Sequence, residues 1–320
     1  MKKIKLKIIS LFLIYILLFS GLSFGGSPKQ KFFILQEKND FYFVQITDTH
    51  VMHKMFDRNE ISKNRFRSIL SYICSFESKP AFIVITGDLT NWGGSWISGA
   101  LNCLAFTSCF YEKDDQFYAD KNYSIPIYTT PGNHDYYFNR NLKNYHRFIE
   151  NDNRYIVNYS DISLFFMNSG PSYYAELYDW LGNIDGDGLY DCDMQWLESA
   201  LDNCSYSHKI VLMHHPATNL RGKNGEMHDV IARNREAFID LCEEYNVDLV
   251  LAGHTHYSRV FDSNEYFYDF NNSLNCSLYS TLFVQTDDCK QGVHYRNVSI
   301  VGDDVWLEDS VELDFINRFN

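Results

Sequence analysis

The sequence predicts an α/β fold with extensive parallel strand pairing. Short apolar runs rich in β-forming residues alternate with stretches of helical periodicity. The runs are continuous rather than alternating, as expected of parallel strands buried on both faces. Each run stops abruptly in a polar cluster containing Asp, Asn or His. In sheets of this class such clusters, at the carboxyl ends of strands, form the site.

The elements follow in order. The run Phe41–Thr47 ends at Asp48, and a helical pattern follows over 60–76. The run Ala81–Thr86 ends at Gly87-Asp88. The run Ile125–Thr130 ends at Gly132-Asn133-His134-Asp135. Strands near 154–159 and 162–167 are expected to pair with each other. Trp196, Leu197 and Leu201 fall at helical spacing and predict a helix over 193–203. The run Lys209–Met213 ends at His214-His215-Pro216. A helix over about 229–245 leads to Val247–Ala252, which ends at Gly253-His254-Thr255-His256. The tail, 257–312, reads as several antiparallel strands. No internal repeat or domain boundary interrupts residues 27–320, which are expected to form a single domain.

The amino terminus has the pattern of a secretory signal over residues 1–26. Lys2, Lys3, Lys5 and Lys7 precede an apolar run from Ile8 to Phe19, then Ser23, Gly25 and Gly26. The expected location is therefore secreted or extracytoplasmic. The alternative is an uncleaved anchor, though the run is short for a membrane span. Removal of the segment would leave 24 basic and 41 acidic residues, a net charge of −17. So acidic a body disfavours nucleic-acid polymers as partners. Eight cysteines in an exported chain permit disulfides, and the near pairs Cys103–Cys109, Cys192–Cys204 and Cys276–Cys289 are the simplest.

Five polar clusters carry the chemistry: Asp48-x-His50, Gly87-Asp88, Gly132-Asn133-His134-Asp135, His214-His215-Pro216 and Gly253-His254-x-His256. Each offers oxygen or imidazole ligands for a divalent cation. In an extended loop, residues i and i+2 point the same way, so Asp48 and His50 can grasp one ion. The glycines would let the backbone turn sharply beside them.

This ordered set resembles the calcineurin-like metallophosphoesterase superfamily, whose pattern is D-x-H, G-D, G-N-H-D, H and G-H-x-H. The resemblance runs from residue 43 to about 257. It implies a four-layer α/β/β/α sandwich with two mixed sheets flanked by helices. It implies two divalent or transition ions, Mn, Fe, Zn or Co, and hydrolysis of a phosphate ester by a hydroxide between them. Asp48, His50 and His256 would hold one ion; Asn133, His214 and His254 the other; Asp88 would bridge. The family pattern H-x-P selects His214 over His215. His134 would stabilise or protonate the leaving oxygen, with Asp135 orienting it. Purple acid phosphatases carry Tyr three residues after the Asp of G-D, where this chain has Asn91. Gly87-Asp88-Leu89-Thr90 is more like the phosphodiesterase branch.

The implied substrate is a small-molecule or lipid-headgroup phosphate ester, monoester or diester, with segments 91–124, 136–150 and 217–229 contacting its alcohol side. A non-catalytic secreted binding protein on the same scaffold is the alternative; it would be expected to lose ligands, and none is missing. Finally, Asn183-x-Asp185-x-Asp187-Gly188-x-x-Asp191 resembles the start of a calcium loop. Its twelfth position is Met194, not Glu, so an acidic turn is favoured over a structural Ca²⁺ at Asp185, Asp187 and Asp191.

Overall fold

Two seven-stranded mixed sheets lie between two layers of helices in the computed structural model, which describes residues 40–111, 125–176 and 183–314. The expected secretory segment lies outside the described residues. The first sheet has the order β12-β15-β14-β1-β2-β3, with β16 paired to β14. Its strands are β1 (Phe41–Ile46), β2 (Ile83–Thr86), β3 (Ile127–Thr130), β12 (Ser273–Asn275), β14 (His294–Val301), β15 (Asp304–Glu308) and β16 (Val311–Glu312). Strands β1, β2 and β3 run parallel. The second sheet has the order β11-β10-β13-β9-β7-β5-β4. It comprises β4 (Tyr155–Tyr159), β5 (Ile162–Phe166), β7 (His208–Leu212), β9 (Leu249–Ala252), β10 (Arg259–Phe261), β11 (Phe267–Tyr268) and β13 (Leu282–Gln285). As expected, β4 and β5 form an antiparallel pair.

Side-chain alternation along each strand builds the layers. On β2, Val84 enters the core between the sheets, whereas Ile83 and Ile85 face helices Ile61–Ser75 and Ser98–Tyr111. On β7, Ile210 and Leu212 enter the inter-sheet core, and Val211 meets helices Asp191–Asp202 and Arg235–Glu244. The parallel strands of the two large sheets are thus apolar on both faces, which is why the runs are continuous. The four-layer α/β/β/α expectation is met.

Several local expectations are corrected. Part of 91–124 is not loop but helix Ser98–Tyr111, which stacks Phe106 on Phe66 of the neighbouring helix. The helix expected from 229 begins at Arg235, because Ile231–Arg233 is claimed as a strand, β8, parallel to β6 (Gly186–Gly188). The left-handed Asn234 separates strand from helix. The tail is antiparallel except at β13, which pairs in parallel with β9.

All eight cysteines are free thiols, and the expected pairs cannot close. Cys103 and Cys109 lie on one helix. Six residues span about 9 Å along the axis, beyond the roughly 7 Å that a disulfide bridges. Cys192 and Cys204 bracket the helix Asp191–Asp202 from opposite ends. Cys276 sits in the inter-sheet core, and Cys289 in the core on the other face of the first sheet. Among the described residues no helix is long and apolar enough to cross a membrane.

A buried polar chain joins the sheets at the end where the site forms. The fully buried Arg296 of β14 donates from Nε to Thr286 Oγ1 at 3.0 Å. Thr286 donates to Gln45 Oε1 of β1, and Gln45 Nε2 donates to Thr86 Oγ1 and to the carbonyl of Ala252 in β9. Arg296 also donates to the carbonyl of Glu308 and to Ser258 Oγ. An Arg296→Met substitution would leave these acceptors dry and unpaired, so a loss of about 3 kcal/mol is expected. Urea unfolding at fixed metal concentration should show a lowered midpoint with an unchanged slope.

Candidate metal centre

The loops that leave β1, β2, β3, β7 and β9 at their carboxyl ends meet at one edge of the two sheets. Backbone bonds lace them together: Asp48 N–H donates to the Gly87 carbonyl, His50 N–H to that of Asp88, and Gly253 N–H to that of His214. All seven sequence-predicted ligands converge there. Ligand atoms of Asp48, His50 and His256 form one close group, and those of Asp48, Asp88 and His214 another. His50 Nε2 lies 3.3 Å from Asp88 Oδ2, and His214 Nε2 lies 3.4 Å from Asp88 Oδ1. Asn133 Oδ1 stands 3.1 Å from His214 Nε2. His254 packs its ring 5.1 Å from that of His214.

The aim of these side chains comes from strained backbone, not from extended loops as expected. Asp48, His50, Asp88, His254 and His256 all have positive φ, between 42° and 69°. For non-glycine residues this region is sparsely populated, and it is found where surrounding structure enforces it. Gly87, with φ of 89°, makes the turn before Asp88. At Gly132 and Gly253 closeness matters instead: a Cβ there would collide with Asp88 and with Thr47 and Asp48.

The imidazoles are oriented by partners that the sequence motif does not contain. His214 Nδ1 lies 2.8 Å from the Thr86 carbonyl and donates to it, and its Nε2 faces Asp88 and Asn133. His256 Nδ1 meets Asp288 Oδ2 at 3.3 Å while its Nε2 faces Asp48. His254 Nε2 donates to the carbonyl of Ile184. Fixing one ring nitrogen in this way sets the tautomer of the other. Asp288 and Ile184 lie far from the motifs in sequence, so only the fold brings them in.

The electrostatics fit a cation. Burial opposes ionisation of Asp48 and Asp88, yet His214, followed by the surrounding imidazoles, holds both well below the ordinary carboxylate range. Burial likewise opposes protonation of His214, but Asp88 and Asp48 raise it to about 9. Burial and the charge of His214 depress His254 to about 4. His50 is 97% buried, and neither ring nitrogen has a hydrogen-bond partner. An orphaned polar ring beside two ionised carboxylates is costly unless something binds it. With imidazole and carboxylate donors together, divalent transition ions fit the set.

Two assignments change. Asp135 was expected to orient His134; its carboxylate instead accepts from the N–H groups of Leu89, Thr90 and Gly132. It pins the Asp88 loop to the Asn133 loop. Burial and the nearby Asp88 raise its pKa to about 7. The group that meets the His134 ring is Asn91, whose Oδ1 lies 2.8 Å from Nδ1. His134 Nε2 stands 3.9 Å from Asp88 Oδ2. His215 also reaches the centre, within the close group of His214 and His254, with Nδ1 on Ser169 Oγ and Nε2 unpartnered. The choice between His214 and His215 is thus not exclusive at the level of proximity, although only His214 also closes on Asp88 and Asp48.

The calcium loop does not form. Asp185 accepts from the Asp229 N–H, Asp187 pairs with Arg233, and Asp191 accepts from Asn234. These carboxylates do not gather as a metal group among the described residues.

The model of the calcineurin-like phosphoesterase family matches residues 41–258, the stretch that holds all seven candidate ligands. The chain belongs to the calcineurin-like phosphoesterase family. Two solved structures share the fold. GAP50, described as the anchor in the inner membrane complex of Plasmodium, is 12% identical, with 87% of this chain and 90% of that one covered and a TM-score of 0.54. Purple acid phosphatase PPD1 from yellow lupin seeds is 12% identical, with a TM-score of 0.51; the match covers 86% of this chain but 54% of the lupin enzyme. No curated protein matches by sequence.

Proposed function

We propose that this chain hydrolyses phosphate esters of small molecules or lipid headgroups with the help of two divalent ions. The observation that carries the reading is the buried pair of ionised carboxylates, Asp48 and Asp88, gathered with the imidazoles of His50, His214 and His256, of which the His50 ring has no hydrogen-bond partner. Asp48, His50 and His256 would hold one ion, Asn133, His214 and His254 the other, and Asp88 both. Such ions supply Lewis-acid charge to phosphoryl oxygens and an activated water at neutral pH.

The protein's own groups do the rest. His134 faces Asp88 and is partly open to solvent, so its Nε2 can reach a leaving oxygen. Asn91 Oδ1 accepts the Nδ1 proton and fixes the ring. Asn91→Ala is expected to leave ion content unchanged and to lower kcat roughly ten-fold or more, as for other partners that orient a site residue. Ion content by mass spectrometry and steady-state kinetics check it.

The deciding experiment uses the purified full chain. Bound transition metal, together with hydrolysis of an aryl phosphate mono- or diester in Mn²⁺ or Zn²⁺, is expected. If neither is found, the chain is a binding protein on this scaffold. Export through residues 1–26 belongs to the same proposal, and amino-terminal sequencing of exported protein tests it.

A further inference from the structure

A line of rings in direct contact leads from the metal centre to solvent. The candidate ligand His50 meets the His134 ring at 4.3 Å between centroids. His134 meets Tyr137 at 4.5 Å, because the turn Asn133–Tyr136 brings residues three apart to one side. Tyr137 meets Phe138 at 5.9 Å. Exposure climbs along the line: His50 is buried, His134 half-buried, Tyr137 43% exposed and Phe138 78%. Whatever is bonded to an oxygen at His134 therefore has these rings beside it.

Phe138 is placed at a cost. Its φ of 70° is left-handed, a region that bulky side chains rarely enter. Among the described residues, no large apolar side chain is more exposed. Asparagine would suit the same backbone better and would expose no apolar ring. Stability of the free protein therefore does not account for phenylalanine here. The adjoining loop has the same character. Trp92, left-handed with a φ of 56°, follows the Asn91 that meets His134, and its ring meets that of Phe56. Gly93 N–H donates to the His134 carbonyl, and Gly94 lies so close to the Tyr136 and Tyr137 carbonyls that a Cβ would collide with them. The two loops thus form one lip. Along the line beyond His134, Tyr137 supplies one hydroxyl and Phe138 nothing polar. A polyol would find a single hydroxyl to bond on these rings, whereas an apolar group would cover them and remove both surfaces from water.

On the phosphoesterase reading proposed above, on which this rests, we infer that the leaving alcohol of the substrate is apolar and lies along Tyr137 and Phe138, with the leaving oxygen at His134. Unbranched alkyl phosphates from ethyl to octyl test it, because their alcohols differ little in acidity and the chemical step is matched. Over the first several added carbons kcat/KM should rise roughly two-fold per methylene, about half of the four-fold that full burial of a methylene brings. Phenylethyl phosphate beside hexyl phosphate separates a flat ring from a flexible chain as the apolar part. In Phe138→Asn the octyl-to-ethyl ratio should fall about three-fold or more, and in Tyr137→Ala/Phe138→Asn it should fall toward one. Phe138→Asn should melt no lower than the wild type, since asparagine suits the left-handed backbone, so its lost ratio would not reflect unfolding.

An octyl-to-ethyl ratio near one in a wild type that does hydrolyse these esters, or a rise that the double variant keeps, overturns the inference and leaves the phosphoesterase reading standing. If no phosphate ester is turned over at all, that reading itself fails. Calorimetric titration with octyl and ethyl phosphate in Mn²⁺ then decides the role of the rings: tighter binding of the octyl ester, lost in the double variant, sustains it, and equal binding refutes it.

Discussion

Asp88→Asn is expected to reduce hydrolysis by at least about 10³-fold and to deplete both ions together. Loss of a residue that merely orients a metal ligand costs roughly 10–100-fold in affinity or activity. Asp88 sits one step further in. Its carboxylate lies 3.3 Å from the His50 ring and 3.4 Å from the His214 ring, which belong to the two halves of the site. It also accepts the His134 N–H at 2.7 Å. The amide is isosteric, so the fold should persist. One oxygen would become an N–H₂ donor, however, facing imidazole nitrogens whose lone pairs are needed for metal. Ion content measured beside kcat separates the outcomes. A variant that keeps both ions while losing turnover would show that Asp88 does not bridge.

The fold was legible because burial on both faces leaves a plain trace: four-layer packing makes β2, β7 and β9 apolar at consecutive positions. That the candidate ligands would gather in one place was legible because parallel strands place their carboxyl-end loops together. What lies between motifs was not. Asn91 is three residues from Asp88, but its contact with His134 depends on how the β2 and β3 loops cross. Asp288 and the Ile184 carbonyl reach His256 and His254 from remote segments. Asp135 misled because adjacency to His134 in sequence suggested a partner, whereas the turn Asn133–Tyr136 sends its carboxylate back to three backbone N–H groups. The cysteine pairs misled for a related reason: spacing says nothing until helix or layer is known.

The left-handed backbone at five ligand positions connects these points. Each such residue costs of order 1–3 kcal/mol. These five strained positions lie where ionised carboxylates and the orphaned His50 ring also gather, and the buried chain from Arg296 through Thr286 to Gln45 joins the sheets beneath. Binding of ions at such a site would recover the cost of leaving His50 unpartnered, so melting temperature should depend on metal concentration.

His134→Ala carries the second large expectation: ion content near normal, with kcat lowered roughly 10²-fold or more. Burial holds the His134 pKa down to about 3, against the pull of Asp88, so the free protein has a neutral ring. The Nδ1–H donates to Asn91 Oδ1, leaving Nε2 toward the site. A phosphate ester brings negative charge to that nitrogen and favours its protonation. The ring can then give the proton to the departing oxygen while Asn91 steadies it. A proton donor matters most when the leaving alcohol is a poor one. The loss should therefore be large for alkyl esters and small for p-nitrophenyl esters, whose leaving oxygen needs little help. An equal loss across leaving groups, or loss of metal with the ring, would assign His134 to holding the site together instead of to the chemical step.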